Sequence, residues 1–458
     1  MLTEELAFVE GLEDVKALMT IIDQSKTKII SFDFEAHKKL EGLGIKHFFV
    51  EEYITEKDEL NIDNKTVELT SGWYLHPNLI GSLKYNGINI GSLLEIELIW
   101  YFFEYLKRMI GIIRIIEKEN PKKIFAGFLG DCAELVCKDK AIKLMKYESK
   151  KKMGLFFDSI EIPIGIRGKI ITLKVSRKNF LRIKKFLAIS VNILYRTKPN
   201  FHELKTKKTI LLSDYNPVSY EKLLESLSSS KYNVFLLNQR RPAIWNYHSL
   251  QIIKNSKCKI IELHDFSNKE IELKIQREMN DVKVQLKNLW SNDKIFNEIF
   301  RIENYSFWSA IKENFSNLIT ARFIESIERF ILLNELFKNL DISCILEWAH
   351  VGLEDKMIVS IANKRKIPNM FLQHGLYIQN VKYDKYIPIL PILPSNGSKH
   401  VVWGKILQEF ILKQGARQEE IIMIGSPRHD KFFKKEHRKN SNQILLAANG
   451  LFHNNCQG

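Results

Sequence analysis

The chain has 458 residues, too many for one ordinary core, so two or three domains are expected. Hydrophobic residues make up 45% and charged residues 27%, which excludes a disordered chain as the default. The formal net charge of +15 favours anionic partners such as nucleotides, phosphorylated lipids or a membrane surface, although lysines spread along a chain also serve simply as solvated faces.

No zinc finger, RNP-like segment or basic zipper accompanies the charge, so nucleic acid is not an expected partner. The five cysteines are odd in number and include no C-x-x-C, which excludes a disulfide framework and a structural zinc site and fits a reducing cytoplasm. No metal and no cofactor are expected. The first fifteen residues, MLTEELAFVEGLEDV, are acidic and lack the basic and apolar regions of a signal peptide. The most apolar long run, 96–116, contains Glu97, Glu104, Lys107, Arg108 and Arg114, and therefore reads as an amphipathic core helix rather than a membrane span.

In chain order, the first 200 or so residues read as an α/β unit. Strands are predicted at 28–34, 46–50 and 123–127, and helices at 35–44, 92–118 and 131–147. The alternating run 155–175, with Arg167-Gly168 at its centre, predicts a hairpin. Residues 177–198 form a basic amphipathic helix ahead of Pro199-Asn200. Such a helix can lie on an anionic membrane surface or pack its apolar stripe between domains, and packing is the preferred reading.

A second α/β rhythm starts at Thr209. Strands are predicted at 209–213, 233–238, 259–263, 342–348, 369–373, 400–403 and 420–424, separated by helices that include 219–229, 353–366 and 405–414. A helical insertion carries Ile311, Phe315, Leu318, Ile319, Phe323, Ile327 and Phe330 at helical spacing. The run 443–447 looks like one more strand, with only LFHNNCQG after Asn449-Gly450. The division expected is 1–176, an N-terminal α/β domain; 177–208, the basic helix and linker; 209–440, a Rossmann-like domain; and 441–458, the start of a truncated further domain.

Several segments place reactive groups just past strand ends, where open α/β sheets bind ligands. In FLQHG, His374 can take a proton from a hydroxyl and Gly375 leaves the backbone open, although a histidine can also merely finish a strand. In GSPRHD, Arg428 offers a fork suited to phosphate and Asp430 can orient it or cap a helix, the alternative being a boundary turn. In NQRRPAIW, Arg240 and Arg241 can meet an anion or belong to a solvated basic loop. In EWAHVGLE, Glu347 and His350 can act as acid and base or serve packing and capping. There is no Walker loop, G-x-G-x-x-G after a strand, H-E-x-x-H or G-x-S-x-G, and the short GFLGD is weak as a phosphate loop.

The ordered set FLQHG, VVWG, Gly415 and IIMIGSPRHD, with LLNQRRPAIW before it, resembles the bacterial and archaeal surface-carbohydrate transferases related to CDP-glycerol glycerophosphotransferases and capsule polysaccharide synthesis proteins. The resemblance spans roughly 209–450. It implies a GT-B fold, two Rossmann-like domains facing a cleft, with the nucleotide held mainly by the C-terminal one and no metal needed. It also implies a base role for His374, while Gly375, Arg428 and Asp430, which match its motifs, stay substrate-binding candidates on the strand-end reading above. The function implied is transfer of a sugar or polyol-phosphate group from a nucleotide-activated donor to a glycan or lipid-linked acceptor. That work belongs in the cytoplasm, with peripheral contact at the inner face of the membrane as one option. In that family a second domain would begin near Gln443, which leaves sixteen residues for it, so the chain is expected to be truncated and inactive alone. Otherwise 1–200 and 209–440 are the two halves. The competing functions are a UDP-sugar 2-epimerase relative, which needs carboxylates around the sugar ring that the sequence does not display as a set, and a non-catalytic carbohydrate-assembly protein.

Overall fold

The computed structural model describes residues 4–429 except 150–152, 156–157, 167–168, 196–206, 230, 241, 351, 376, 378–383, 385, 387–392 and 395–396. Arg241, Asp430 and the strand expected at 443–447 lie outside the described residues.

Two parallel sheets organise the chain. The first contains β1 (Glu5–Val9), β2 (Thr27–Ser31), β3 (His47–Phe49), β6 (Lys123–Ala126) and β7 (Lys143–Lys146), in the order β3-β2-β1-β6-β7, with the small ribbon β4 (Lys84–Tyr85) and β5 (Ile88–Asn89) between. Its central strand is β1, whose LAFV core is buried between Glu5 and Glu10. Sequence reading passed over this strand because four apolar residues flanked by acids carry little periodicity. The helix expected over 131–147 is corrected. It spans Gly130–Asp139, Ala141 turns the chain at φ 56°, and Lys143–Lys146 then pairs in parallel with β6. Amphipathic spacing cannot distinguish a helix's last turn from a short edge strand, and the available sheet edge decides.

The predicted hairpin is present as the antiparallel pair β8 (Ser159–Ile166) and β9 (Lys169–Ser176), which leads directly into the helix Arg177–Tyr195.

The second sheet contains β10 (Thr209–Ser213), β11 (Asn233–Leu237), β12 (Lys259–Ile261), β15 (Ile342–Glu347), β16 (Asn369–Leu372), β17 (Ser398–Val402) and β18 (Ile421–Met423). A small antiparallel ribbon, β13 (Arg301–Ile302) and β14 (Tyr305–Ser306), interrupts the sequence. The order is β12-β11-β10-β15-β16-β17-β18, and every pairing is parallel. The chain is thus α/β, and both sheets have the Rossmann order in which strands are laid outward from a first strand and then back across it, reversing at β1/β6 and at β10/β15.

The insertion helix Trp308–Asn339 ties the two units together. Ile311, Phe315, Ile319, Phe323, Ile327 and Phe330 are buried along it, as their spacing predicts. Phe315 meets Trp73 edge-on at 5.3 Å and Tyr101 at 5.7 Å, and Tyr101 donates to Asn314 Oδ1 at 2.9 Å. One continuous core therefore draws on residues from both halves.

Among these contacts, Gly91 has no room to spare. A Cβ there would overlap the Tyr74 side chain at its Cβ. Gly91→Ala is expected to cost about 1–3 kcal/mol through overpacking, read as a lower urea midpoint.

Candidate functional site

Parallel strands bring all their carboxyl ends to one edge of the second sheet, and the reversal between β10 and β15 opens a crevice there. The side chains around it are polar and buried. At the end of β10, Asp214 adopts φ 58° and accepts the Arg240 backbone N–H on Oδ1 at 2.9 Å. Burial pushes its carboxyl pKa up, against the pull of Arg240. At the end of β15, Glu347 is fully buried with Oε2 2.9 Å from His350 Nε2, and burial raises its pKa as well. The His350 ring lies on Phe371, centroids 4.6 Å apart.

His374 follows β16. Its ring packs against Trp348 at 4.8 Å, and the loop that carries it is braced by Gln373, which accepts from the Trp403 backbone at 2.7 Å and donates to the Gly375 carbonyl at 2.9 Å. Burial first, then the charges of Arg240 and Arg428, hold the His374 imidazolium pKa below its ordinary value. Arg428 reaches it from the loop after β18, where Gly425 turns at φ 88°, and its Nη1 donates to the His374 carbonyl at 2.8 Å. Among the described residues nothing lies within 4 Å of where a Cβ of Gly375 would stand.

Arg240 is not a solvated loop residue. Its guanidinium is ion-paired with Asp355 and presses on Gly352, where a Cβ would meet Nη2 at 3.0 Å. Gly352 caps the helix Leu353–Lys364, which begins just past the carboxyl end of β15. Asp355 also accepts from the Gly352 N–H at 3.0 Å. Glu354 beside it belongs to a buried ion network. Burial opposes its ionisation, but Arg329, Arg177 and Arg240 outweigh that and hold it charged.

The structure therefore sets His374, Gly375, Arg428, Arg240, Glu347 and His350 at one sheet edge; convergence was expected of His374, Arg428 and the Arg240/Arg241 pair, of which Arg241 lies outside the described residues. It adds Asp214, Asp355, Ser213 and Gln239, which sequence reading did not single out. Asp214 was detectable as the residue directly after the TILLS strand. Asp355 was not, because a carboxylate in a helix's first turn ordinarily needs no further explanation. Among the described residues no hydrogen-bond partner meets Ser213 Oγ, Asp214 Oδ2, either end of the Gln239 amide, Glu347 Oε1, His350 Nδ1, Asp355 Oδ1 or His374 Nδ1, all of them buried. Buried polar atoms are ordinarily paired, so these groups have hydrogen-bonding capacity open to ordered water or a polar ligand. Next to it, a cavity of about 310 Å³ is walled by Leu237 and Gln239 from the end of β11, Glu262 and Leu263 after β12, Leu181 and Lys184 of the Arg177–Tyr195 helix, and Glu325 and Arg329. That is the lower end of the size range of small-molecule sites.

No protein-family profile matches the chain, and no curated protein matches it. Among solved structures, it is similar over 49% of its length to 48% of the UDP-GlcNAc 2-epimerase from Neisseria meningitidis bound to UDP-GlcNAc, at 13% identity and a TM-score of 0.27. It is also similar over 85% of its length to 86% of a ketoreductase domain from the bacillaene assembly line, at 7% identity and a TM-score of 0.18. Likeness at this level carries no functional argument.

Proposed function

We propose that the β10/β15 crevice binds the diphosphate of a nucleotide-activated sugar or polyol and that the protein transfers the activated group to a hydroxyl of a glycan or lipid-linked acceptor. The observation that carries this reading is His374 at the strand end, where the Arg428 Nη1 donates to its backbone carbonyl at 2.8 Å and the charges of Arg240 and Arg428 both disfavour its protonated form. A lowered pKa leaves the imidazole neutral, so it can accept the acceptor's proton as the hydroxyl oxygen bonds to the activated carbon or phosphorus. The bond to the nucleotide breaks in the same step, and the negative charge left on the departing phosphate is met by Arg428, Arg240 and the Gly352 end of the helix. Gly375 lets the substrate lie against the backbone.

A second reading rests on a specific observation. Asp214, Glu347 and Asp355 form the buried carboxylate set that sequence reading did not find and that a UDP-sugar 2-epimerase relative would need. The two readings differ in whether an acceptor is required. Titration of UDP- and CDP-activated sugars and polyols by calorimetry identifies the donor, and each binder is then incubated with and without hydroxyl acceptors. The transfer reading expects nucleotide release that depends on the acceptor. Conversion of a UDP-sugar to its epimer without acceptor, seen by NMR, would replace it with the second reading, and absence of binding by the whole panel would remove both.

A further inference from the structure

The helix Arg177–Tyr195 has two faces with different occupations. Its inward face is built into the protein: Lys184 is buried, donates to the Asn238 carbonyl at 2.5 Å and stands 3.7 Å from Glu262, while Arg177 pairs with Glu325 and Glu354. The packing expected from sequence was of the apolar stripe between domains, whereas the contacts on the inward face are these polar ones. Among the described residues the outward face is uncovered. Ile183, Phe186 and Leu187, at i, i+3 and i+4, are 46%, 69% and 41% exposed, and Leu173 on the strand leading into the helix is 47% exposed. Lys178, Arg182 and Lys185 are exposed on the same helix, which carries five basic residues and no acidic one.

We infer that this face docks the protein on an anionic lipid surface, with Phe186, Ile183 and Leu187 in the acyl boundary and Lys178, Arg182 and Lys185 among the headgroup phosphates. An exposed phenylalanine between aliphatic neighbours gains by leaving water, and cations flanking it need a partner that offers apolar interior and negative charge together. A second copy of the chain offers the first but not the second: a two-fold contact would set two all-basic helices of a +15 protein against each other. Charge complementarity therefore selects lipid phosphate. Leu181 and Lys184 of the same helix wall the cavity beside the crevice, so docking brings the candidate site to the surface that carries lipid-linked acceptors. This inference goes beyond the proposed transfer activity and does not depend on it.

The test is co-sedimentation of the full chain with vesicles of phosphatidylcholine alone and of phosphatidylcholine mixed with phosphatidylglycerol, in the absence of any nucleotide. Binding is expected to the mixed vesicles, to weaken with salt, and to be much weaker to phosphatidylcholine alone. Ile183→Glu with Phe186→Glu should reduce binding about tenfold or more. Lys178→Gln, Arg182→Gln and Lys185→Gln should each reduce it about fivefold. These side chains are exposed, so the variants should keep the parent's urea midpoint, and Phe186→Ser serves if the charged pair does not. No binding to anionic vesicles, binding unaffected by the Phe186 variants, or self-association abolished by the same variants would overturn the inference. Because no nucleotide is present, the vesicle result stands or falls separately from the proposed transfer.

Discussion

His374→Ala is expected to lower group transfer by about two to four orders of magnitude while the protein keeps its fold. Among the described residues of the crevice, the His374 imidazole has surroundings that favour its neutral, proton-accepting form. Burial disfavours its cationic form, and Arg240 and Arg428 add to that. Its Nδ1 meets no partner among the described residues, whereas Trp348 and Phe371 hold the ring in place. Two consequences for pH follow. The acidic limb of the rate profile should fall below the ordinary histidine value of 6.5, because protonation that disables the base requires a lower pH than for a free histidine. The same depressed pKa means that the unfolded chain binds a proton here more readily than the folded one. His374 therefore weakens folding as pH falls through the ordinary histidine value towards its lower folded one, and the alanine variant should lose less stability over that interval. Steady-state kinetics across pH, with urea midpoints at the same pH values, measure both. Unchanged turnover in the alanine variant would show that His374 only finishes its strand.

Arg322→Met is expected to be the most destabilising of the substitutions considered, at about 3–5 kcal/mol. Arg322 lies on the long insertion helix and reaches into the first unit, where its Nε stands 2.9 Å from Glu97 Oε2. The same guanidinium bonds Asp158 at 2.5 Å and Glu325 at 3.3 Å. Glu97 is fully buried, and burial already raises its pKa against the pull of Arg322 and Arg177. Removing Arg322 leaves that carboxylate without its main counter-charge in an apolar core, and it must then take up a proton or draw in water. A large drop in urea midpoint is the expected result. Pairing the substitution with Glu97→Met should recover much of the loss, since replacing a buried ion pair by apolar side chains is often close to neutral. A double variant no more stable than the single one would place the stabilisation elsewhere in the network, at Glu325 and Glu354.

Much of this architecture was legible along the chain because it rests on local patterns. The short apolar runs from 209 to 424 appear as strands of one parallel sheet, and the i, i+4, i+7 spacing from Ile311 to Phe330 marks a buried helix face. Parallel pairing then brings His374, Arg428 and Arg240 to one edge, so three strand-end motifs far apart in sequence could be expected to meet. What the chain order could not convey is what each group would face. Arg240 was expected as a surface cation or anion-binding group, and it is ion-paired to Asp355 because Gly352 leaves its guanidinium room. Glu347 and His350 were readable only as separate candidates, and burial makes them a contacting pair. The strand Glu5–Val9 and the strand Lys143–Lys146 exist because neighbouring strands offer backbone partners, a condition set across the sheet and not within either segment. By itself the sequence determined most of the elements, their alternation and the end of each strand at which reactive residues sit, because these follow from hydrophobic period and turn chemistry. The tertiary structure alone decided which charges are buried, which are paired and which face the crevice, because those properties depend on desolvation and on partners supplied by distant parts of the chain.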